Sequence, residues 1–183
     1  ITWTWVAIDL CENESAATTT ITVIDTTAPE FETVPADETV ECSDELPEVV
    51  MPTAFDNCDA DVNIELTEEI IDGDCPQEYT LNRMFRAFDN CGNSSMYVQT
   101  ITVVDTTAPV FGDSADETFE CSDDITVTLP SATDNCGEVT VTHVDGEQIP
   151  GECANEYSFE RTYTAVDECG NESSISNMIF VVD

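Results

Sequence analysis

The chain repeats itself, and that constrains its fold more than any composition figure, because each copy must be a unit that can be strung in series. The run Ile21-Thr22-Val23-Ile24-Asp25-Thr26-Thr27-Ala28-Pro29 returns 80 positions later as Ile101-Thr102-Val103-Val104-Asp105-Thr106-Thr107-Ala108-Pro109. Asp37-Glu38-Thr39-Val40-Glu41-Cys42 returns as Asp116-Glu117-Thr118-Phe119-Glu120-Cys121, and Asp56-Asn57-Cys58 as Asp134-Asn135-Cys136. Ala87-Phe88-Asp89-Asn90-Cys91-Gly92-Asn93 has a downstream copy in Ala165-Val166-Asp167-Glu168-Cys169-Gly170-Asn171 and an upstream one in Ala7-Ile8-Asp9-Leu10-Cys11-Glu12-Asn13. The predicted organisation is the tail of a preceding repeat (1–27) and two whole repeats (28–107 and 108–183).

Within each copy polar and apolar residues alternate, β-branched and aromatic residues are frequent, and Pro, Gly, Asn and Asp bound the runs, with no sustained 3.6-residue period. The pattern predicts an all-β chain of tandem immunoglobulin-like β-sandwich repeats. Strands are expected near 37–42, 48–55, 62–70, 79–89 and 96–104 of the first whole copy, with a short edge segment near 31–34. Leu81, Phe85 and Ala87 share a parity, as do Phe159, Tyr163 and Ala165, and Trp3, Trp5 and Ala7; that parity fixes the register, since a one-residue slip would expose the row. Arg83 and Arg161 share it too. Trp3 fills the same place upstream, so the arginines are expected to pack by their stems, with guanidinium paired to a carboxylate.

Forty acidic and three basic residues, all arginine, give a formal charge of −37. Such a chain repels phosphate backbones and anionic lipid headgroups, so nucleic acid is excluded as a partner. Hydrophobic content of 41% argues against a solvated acidic tail. No apolar run reaches the roughly 18 residues of a membrane span. The chain opens on Ile1-Thr2-Trp3 and is read as an internal piece of a longer secreted or surface polypeptide.

Each whole repeat holds four cysteines, Cys42, Cys58, Cys75 and Cys91, then Cys121, Cys136, Cys153 and Cys169, spaced 16, 17, 16 and 15, 17, 16. Zinc sites usually bring two ligands within a few residues of each other, which this spacing does not, so the framework is read as disulfides in an oxidising compartment. If consecutive strands run antiparallel, Cys42 and Cys75 share one pole of the sandwich and Cys58 and Cys91 the other. A strand of ten residues, about 33 Å, separates the poles. The pairs expected within reach of a disulfide are therefore Cys42–Cys75, Cys58–Cys91, Cys121–Cys153 and Cys136–Cys169, with Cys11 bonded into the preceding repeat.

The Asp-Thr-Thr-Ala-Pro junction, Asp-Asn-Cys, and Asp-Asn-Cys-Gly-Asn together resemble the hyalin-type (HYR) repeat, in the acidic four-cysteine form strung in tandem in giant cell-surface proteins of the Bacteroidetes. The resemblance covers essentially all 183 residues. It implies an immunoglobulin-like extracellular module in a surface adhesin or filament, often exported by type IX secretion in gliding bacteria. It names no ligand. Glu168 in place of Asn90, and Leu10 with Glu12 upstream, depart from the pattern.

No nucleophile has a base nearby in sequence, no phosphate loop is present, and the single histidine, His143, aligns with Glu65; no enzyme is read here. The sharper chemistry is calcium, because hard cations take clusters of carboxylate and amide oxygens. Topology gathers Asp25 with Asp56, Asn57 and Asp89, and Asp105 with Asp134, Asn135 and Asp167, at the junctions between repeats. Asp and Asn also make turns, so ligand and turn readings both stand. Thr26, Thr106 and Ser114 fit the Asp-Ser/Thr acceptor for O-glycosylation in Bacteroidetes. The functional expectation is a stiff acidic stalk whose partners are neighbouring repeats or other filament subunits. The competing one is an adhesion module binding a glycan or protein, with Thr142–Gly151 the most divergent stretch.

Overall fold

The computed structural model describes residues 1–183 as an all-β chain of fifteen strands. The chain divides into two compact units, Ile1–Val34 with Met51–Leu66 and Phe85–Tyr97, and Pro35–Val50 with Thr67–Met84 and Val98–Asp183.

In the first unit β1 (Thr2–Ile8) and β2 (Glu14–Thr20) form an antiparallel hairpin in register from Thr2 opposite Thr20 to Ile8 opposite Glu14. Trp3 and Trp5 stay 48% and 56% exposed on this hairpin. The short strands β3 (Glu30–Thr33) and β5 (Thr53–Phe55) pair antiparallel, with a register shift between Phe31 and Thr33. The strand expected over 48–55 contracts to β5 because Pro47 and Pro52 lack the N–H a ladder needs.

In the second unit β4 (Glu38–Glu41) runs parallel to the end of β8 (Ser94–Val104), Glu38 opposite Ile101 and Glu41 opposite Val104. Next come β9 (Val110–Phe111), β10 (Glu117–Glu120), β11 (Ala132–Thr133), β12 (Val139–Asp145), β13 (Ile149–Pro150), β14 (Tyr157–Asp167) and β15 (Glu172–Val182). They build a two-stranded sheet of β9 and β11 and a larger sheet in the order β10, β15, β14, β12, with β13 on the start of β14. β10 is parallel to β15, while β15–β14 and β14–β12 are antiparallel. The first repeat has the same order, β4, β8, β7 (Tyr79–Phe88) and β6 (Asn63–Asp72).

The inward rows follow the sequence parity. Phe159, Tyr163 and Ala165 on β14 and Ile179 and Val181 on β15 are buried, as are Leu81, Phe85, Ala87, Ile101 and Val103 in the earlier copy. Each large apolar side chain so covered contributes about 1.5–3 kcal/mol. Arg161 sits 2% exposed in this row, its Nε and Nη2 donating to the Asp145 carboxylate at 2.6 and 2.9 Å, its guanidinium 5.4 Å from the Phe159 ring. Arg83 donates to Glu68 at 2.9 Å. Both pairs match the sequence reading. The same rows end on carboxylates: Asp89, Asp105 and Asp167 continue the inward parity and are buried.

Candidate metal centre at the repeat junctions

The Asp-x-Cys-x-Asn turn is a closed loop built on its aspartate. Asp167 Oδ1 accepts from the amides of Cys169 (2.8 Å) and Asn171 (2.9 Å), and Oδ2 accepts from Asn171 Nδ2 (2.9 Å). Asp89 repeats the arrangement with Cys91 and Asn93, and Asp9 with Cys11 and Asn13. Gly92 and Gly170 sit at φ 91° and 89°, where a side chain is strained, and Glu12 takes φ 63° at that place upstream. The asparagine also reaches back across the junction: Asn93 Nδ2 donates to the Asp25 carbonyl (3.3 Å) and Asn171 Nδ2 to the Asp105 carbonyl (3.1 Å).

That clasp sets Asp25 in the linker, or Asp105 just after β8, beside two aspartates from the following repeat. Asp25, Asp56 and Asp89 in one unit, and Asp105, Asp134 and Asp167 in the other, each offer an oxygen within 4.8 Å of the others. One oxygen of each turn aspartate is committed to backbone: Asp25 Oδ1 accepts from Thr27 N, Asp56 Oδ1 from Cys58 N and Asp59 N, and Asp134 Oδ1 from Cys136 N. Oδ2 of Asp25, Asp56 and Asp134 is buried with no hydrogen-bond partner. A buried, unpaired carboxylate oxygen facing two more carboxylates is a donor set that a hard cation can satisfy.

The six carboxyls are not alike. Burial pushes Asp105 above the usual carboxylate range, and Asp134, Asp167 and Glu41 add repulsion against a single opposing bond from Thr107 N. Burial also acts on Asp89 and Asp167, but the hydrogen bonds from Asn93 and Asn171 outweigh it and hold both below that range. Burial, then Asp25, raises the thiols of Cys58 and Cys91.

The triads are carboxylates alone, and Asn57 and Asn135 follow Asp56 and Asp134 directly in sequence. Asn57 is exposed, and Asn135 Nδ2 donates to Ser43 Oγ at 3.1 Å, a clasp between one repeat and the next. Cys42, Asp105 and Cys136 also converge, but the two sulfurs are bonded to each other and leave no thiolate for a metal. Thr106 is hydrogen-bonded to Glu41, Ser114 accepts from Asn177, and Thr26 is exposed beside its triad.

The disulfide pairing departs from the expectation. Cys42 bonds to Cys136 and Cys75 to Cys169, with Cα separations of 5.9 and 5.1 Å, joining consecutive repeats. Cys58, Cys91, Cys121 and Cys153 are thiols, as is Cys11. Cys42 and Cys75 do reach the same pole, but sheet order decides the partner. Cys42 follows β4 and Cys75 follows β6, at opposite edges of the order β4, β8, β7, β6. Three strand spacings put those edges about 14 Å apart, twice the reach of a disulfide. The lower pole of the next repeat brings Cys136 and Cys169 to the two edges instead. The same order parts Cys121, after β10, from Cys153, beyond β12. Cys136 and Cys169 cannot pair with each other because each is already bonded across the junction.

Two successive all-β repeats, each with a large sheet and a two-stranded one and joined through cysteine pairs, define a tandem immunoglobulin-like repeat protein. The family model for the HYR-like domain with 4 cysteines matches residues 31–103 and again 109–181, and the chain belongs to that family. No curated protein matches it. Among solved structures it is similar to Drosophila N-cadherin EC1-4 at 14% identity and TM-score 0.38, over 86% of this chain and 50% of that one. It is also similar to the protocadherin GammaB4 extracellular domain (17%, TM-score 0.38, 100% and 38%) and mouse clustered PcdhgC3 EC1-3 (14%, TM-score 0.41, 100% and 77%). The chain thus spans half or less of the first two structures.

Proposed function

We propose that this chain is a segment of a stiff, acidic, disulfide-stapled stalk in a secreted bacterial cell-surface adhesin or extracellular filament, with calcium held at each repeat junction. The observation that carries the reading is the double staple: Cys42–Cys136 and Cys75–Cys169 join one repeat to the next at two separate strand ends. With the linker from Asp105 to the buried Pro109 they make three covalent attachments spread across the sheet's width. Attachments in such a row resist twisting about the chain axis and bending within the sheet plane. Asp105 on the linker and Asp134 and Asp167 on the following repeat would hold the cation, which neutralises their charge and ties linker to repeat. Burial of Asp105 and its repulsion from the other two oppose that closure while the site is empty of positive charge.

No enzymatic role is part of this reading; the single histidine, His143, is exposed. A ligand site unique to Thr142–Gly151 is not favoured either: its exposed Ile149 stands where the first repeat has the likewise exposed Ile71. Small-angle scattering of the oxidised chain with calcium should give an elongated particle that becomes more flexible on reduction and chelation. A compact globule, or a profile indifferent to both treatments, overturns the stalk.

A further inference from the structure

The upper pole of the second repeat is built like the upper pole of the first. In the first, that surface is covered. Cys42 and Cys75 are half-buried in bonds to the next repeat, Gln77 Nε2 donates to Glu168 Oε2 at 3.2 Å, and Ser43 accepts from Asn135. In the second repeat the counterparts Cys121, Cys153 and Asn155 are exposed, and a cleft of about 470 Å³ opens among Cys121, Asp123, Ile125, Asn155, Tyr157 and Val181. These align with Cys42, Asp44, Leu46, Gln77, Tyr79 and Val103. Asp183 stands where Asp25 and Asp105 stand, at the end of the last strand, and accepts from Asn155 at 3.2 Å.

We propose that this pole is a docking surface for the lower pole of a following HYR-like repeat on the same polypeptide, bonded through Cys121 to that repeat's second cysteine and Cys153 to its fourth. The occupant is fixed by the junction already formed, where both bonds span 94 residues and the linker leaves the same pole they occupy. Asp183 then supplies the first carboxylate of a third triad. By the same rule Cys58 and Cys91, whose counterparts Cys136 and Cys169 are bonded, take the first and third cysteines of a preceding repeat. A tandem array is thereby a continuous ladder, two rungs per junction and none within a repeat. Each rung forms when two thiols give up two protons and two electrons to a disulfide oxidant; with glutathione disulfide, one thiolate displaces glutathione and the second thiolate displaces the other, leaving two reduced glutathiones. The proposal deepens the stalk reading, but its test reads bond connectivity where that reading's test reads particle shape, so either can fail alone.

The test extends the full chain after Asp183 with a second copy of Thr106–Asp183 in which the counterparts of Cys121 and Cys153 are serine, refolded in a glutathione buffer. The parent chain has five thiols open to iodoacetamide, Cys11, Cys58, Cys91, Cys121 and Cys153. The extended chain should have three, and non-reducing peptide mapping should show Cys121 joined to a Cys136-type peptide and Cys153 to a Cys169-type peptide. A second extension, with the counterparts of Cys136 and Cys169 also serine, should keep Cys121 and Cys153 alkylatable. Recovery of Cys42–Cys136 and Cys75–Cys169 in the same digests reports that the parent part has folded. Seven remaining thiols, a Cys121–Cys153 bond, or intermolecular Cys121–Cys58 dimers would each overturn the proposal.

Discussion

A double-mutant cycle on Cys42 and Cys136 tests the inter-repeat staple energetically. The bond closes a loop of 94 residues. In the chain-entropy model, closing a loop of that length removes about 15.6 cal/mol/K from the unfolded ensemble, or about 4.6 kcal/mol at 25 °C. Cys42→Ser should therefore cost about 4.6 kcal/mol, Cys136→Ser the same, and the double variant no more than either alone, a coupling equal to the whole bond. At about 2–4 °C per kcal/mol for a chain of this size the midpoint falls by about 9–18 °C. The assay is thermal and denaturant unfolding under non-reducing conditions, with leftover single thiols alkylated before the measurement. Bonds confined to single repeats give a different outcome: Cys42 and Cys136 then belong to separate bridges, each closing a loop of some 30 residues worth roughly 3.7 kcal/mol, and the two costs add. Additivity would refute the junctional pairing.

Three further outcomes follow from named residues. Asp134→Asn should remove one of two calcium sites by titration calorimetry and leave the Asp25, Asp56 and Asp89 site intact, since the two triads share no residue. Because Asp105 is raised from its ordinary value of 3.8, the cation-free fold binds its proton more tightly than the unfolded chain, and its contribution to stability falls as pH rises from 3.8 through the raised value; Asp89 and Asp167 are lowered, and theirs is lost as pH falls below 3.8. Unfolding in chelator from pH 3 to 7 should show Asp105→Asn more stable than the parent at neutral pH, an advantage that shrinks with calcium. Arg161→Ala should cost about 3 kcal/mol by denaturant unfolding, stranding Asp145 and opening the row beside Phe159, while Arg161→Met, which keeps the stem, recovers much of it.

The strands and their register were legible because a two-residue period with one buried face leaves no freedom: the row Phe159, Arg161, Tyr163, Ala165 has one way to face inward. The gathering of Asp25, Asp56 and Asp89, and of Asp105, Asp134 and Asp167, was legible for the same reason, since strand direction says which ends meet at a junction. Disulfide connectivity was not, because direction tells which pole a cysteine reaches and says nothing of its place across the sheet. β4 pairs parallel with β8, and that puts Cys42 at the edge opposite Cys75; no alternation in a four-residue strand announces a parallel partner some 60 positions away.

That missing piece changes what the cysteines do. Bridges inside a repeat would stabilise each sandwich and leave the linker free to swing. Bridges between repeats do the reverse, so each sandwich must stand on its own core, the rows around Phe85 and Tyr163, while the covalent chemistry goes into the joint. The turn around Asp167 serves that division. Its Cys169 is bonded back to Cys75, its Asn171 holds the Asp105 carbonyl, and its carboxylate faces Asp105 and Asp134. One seven-residue motif thus carries the bond, the clasp and one carboxylate of the cluster at the same joint. A repeat lacking any of the three should still fold, though less stably, and should loosen its hold on its neighbour.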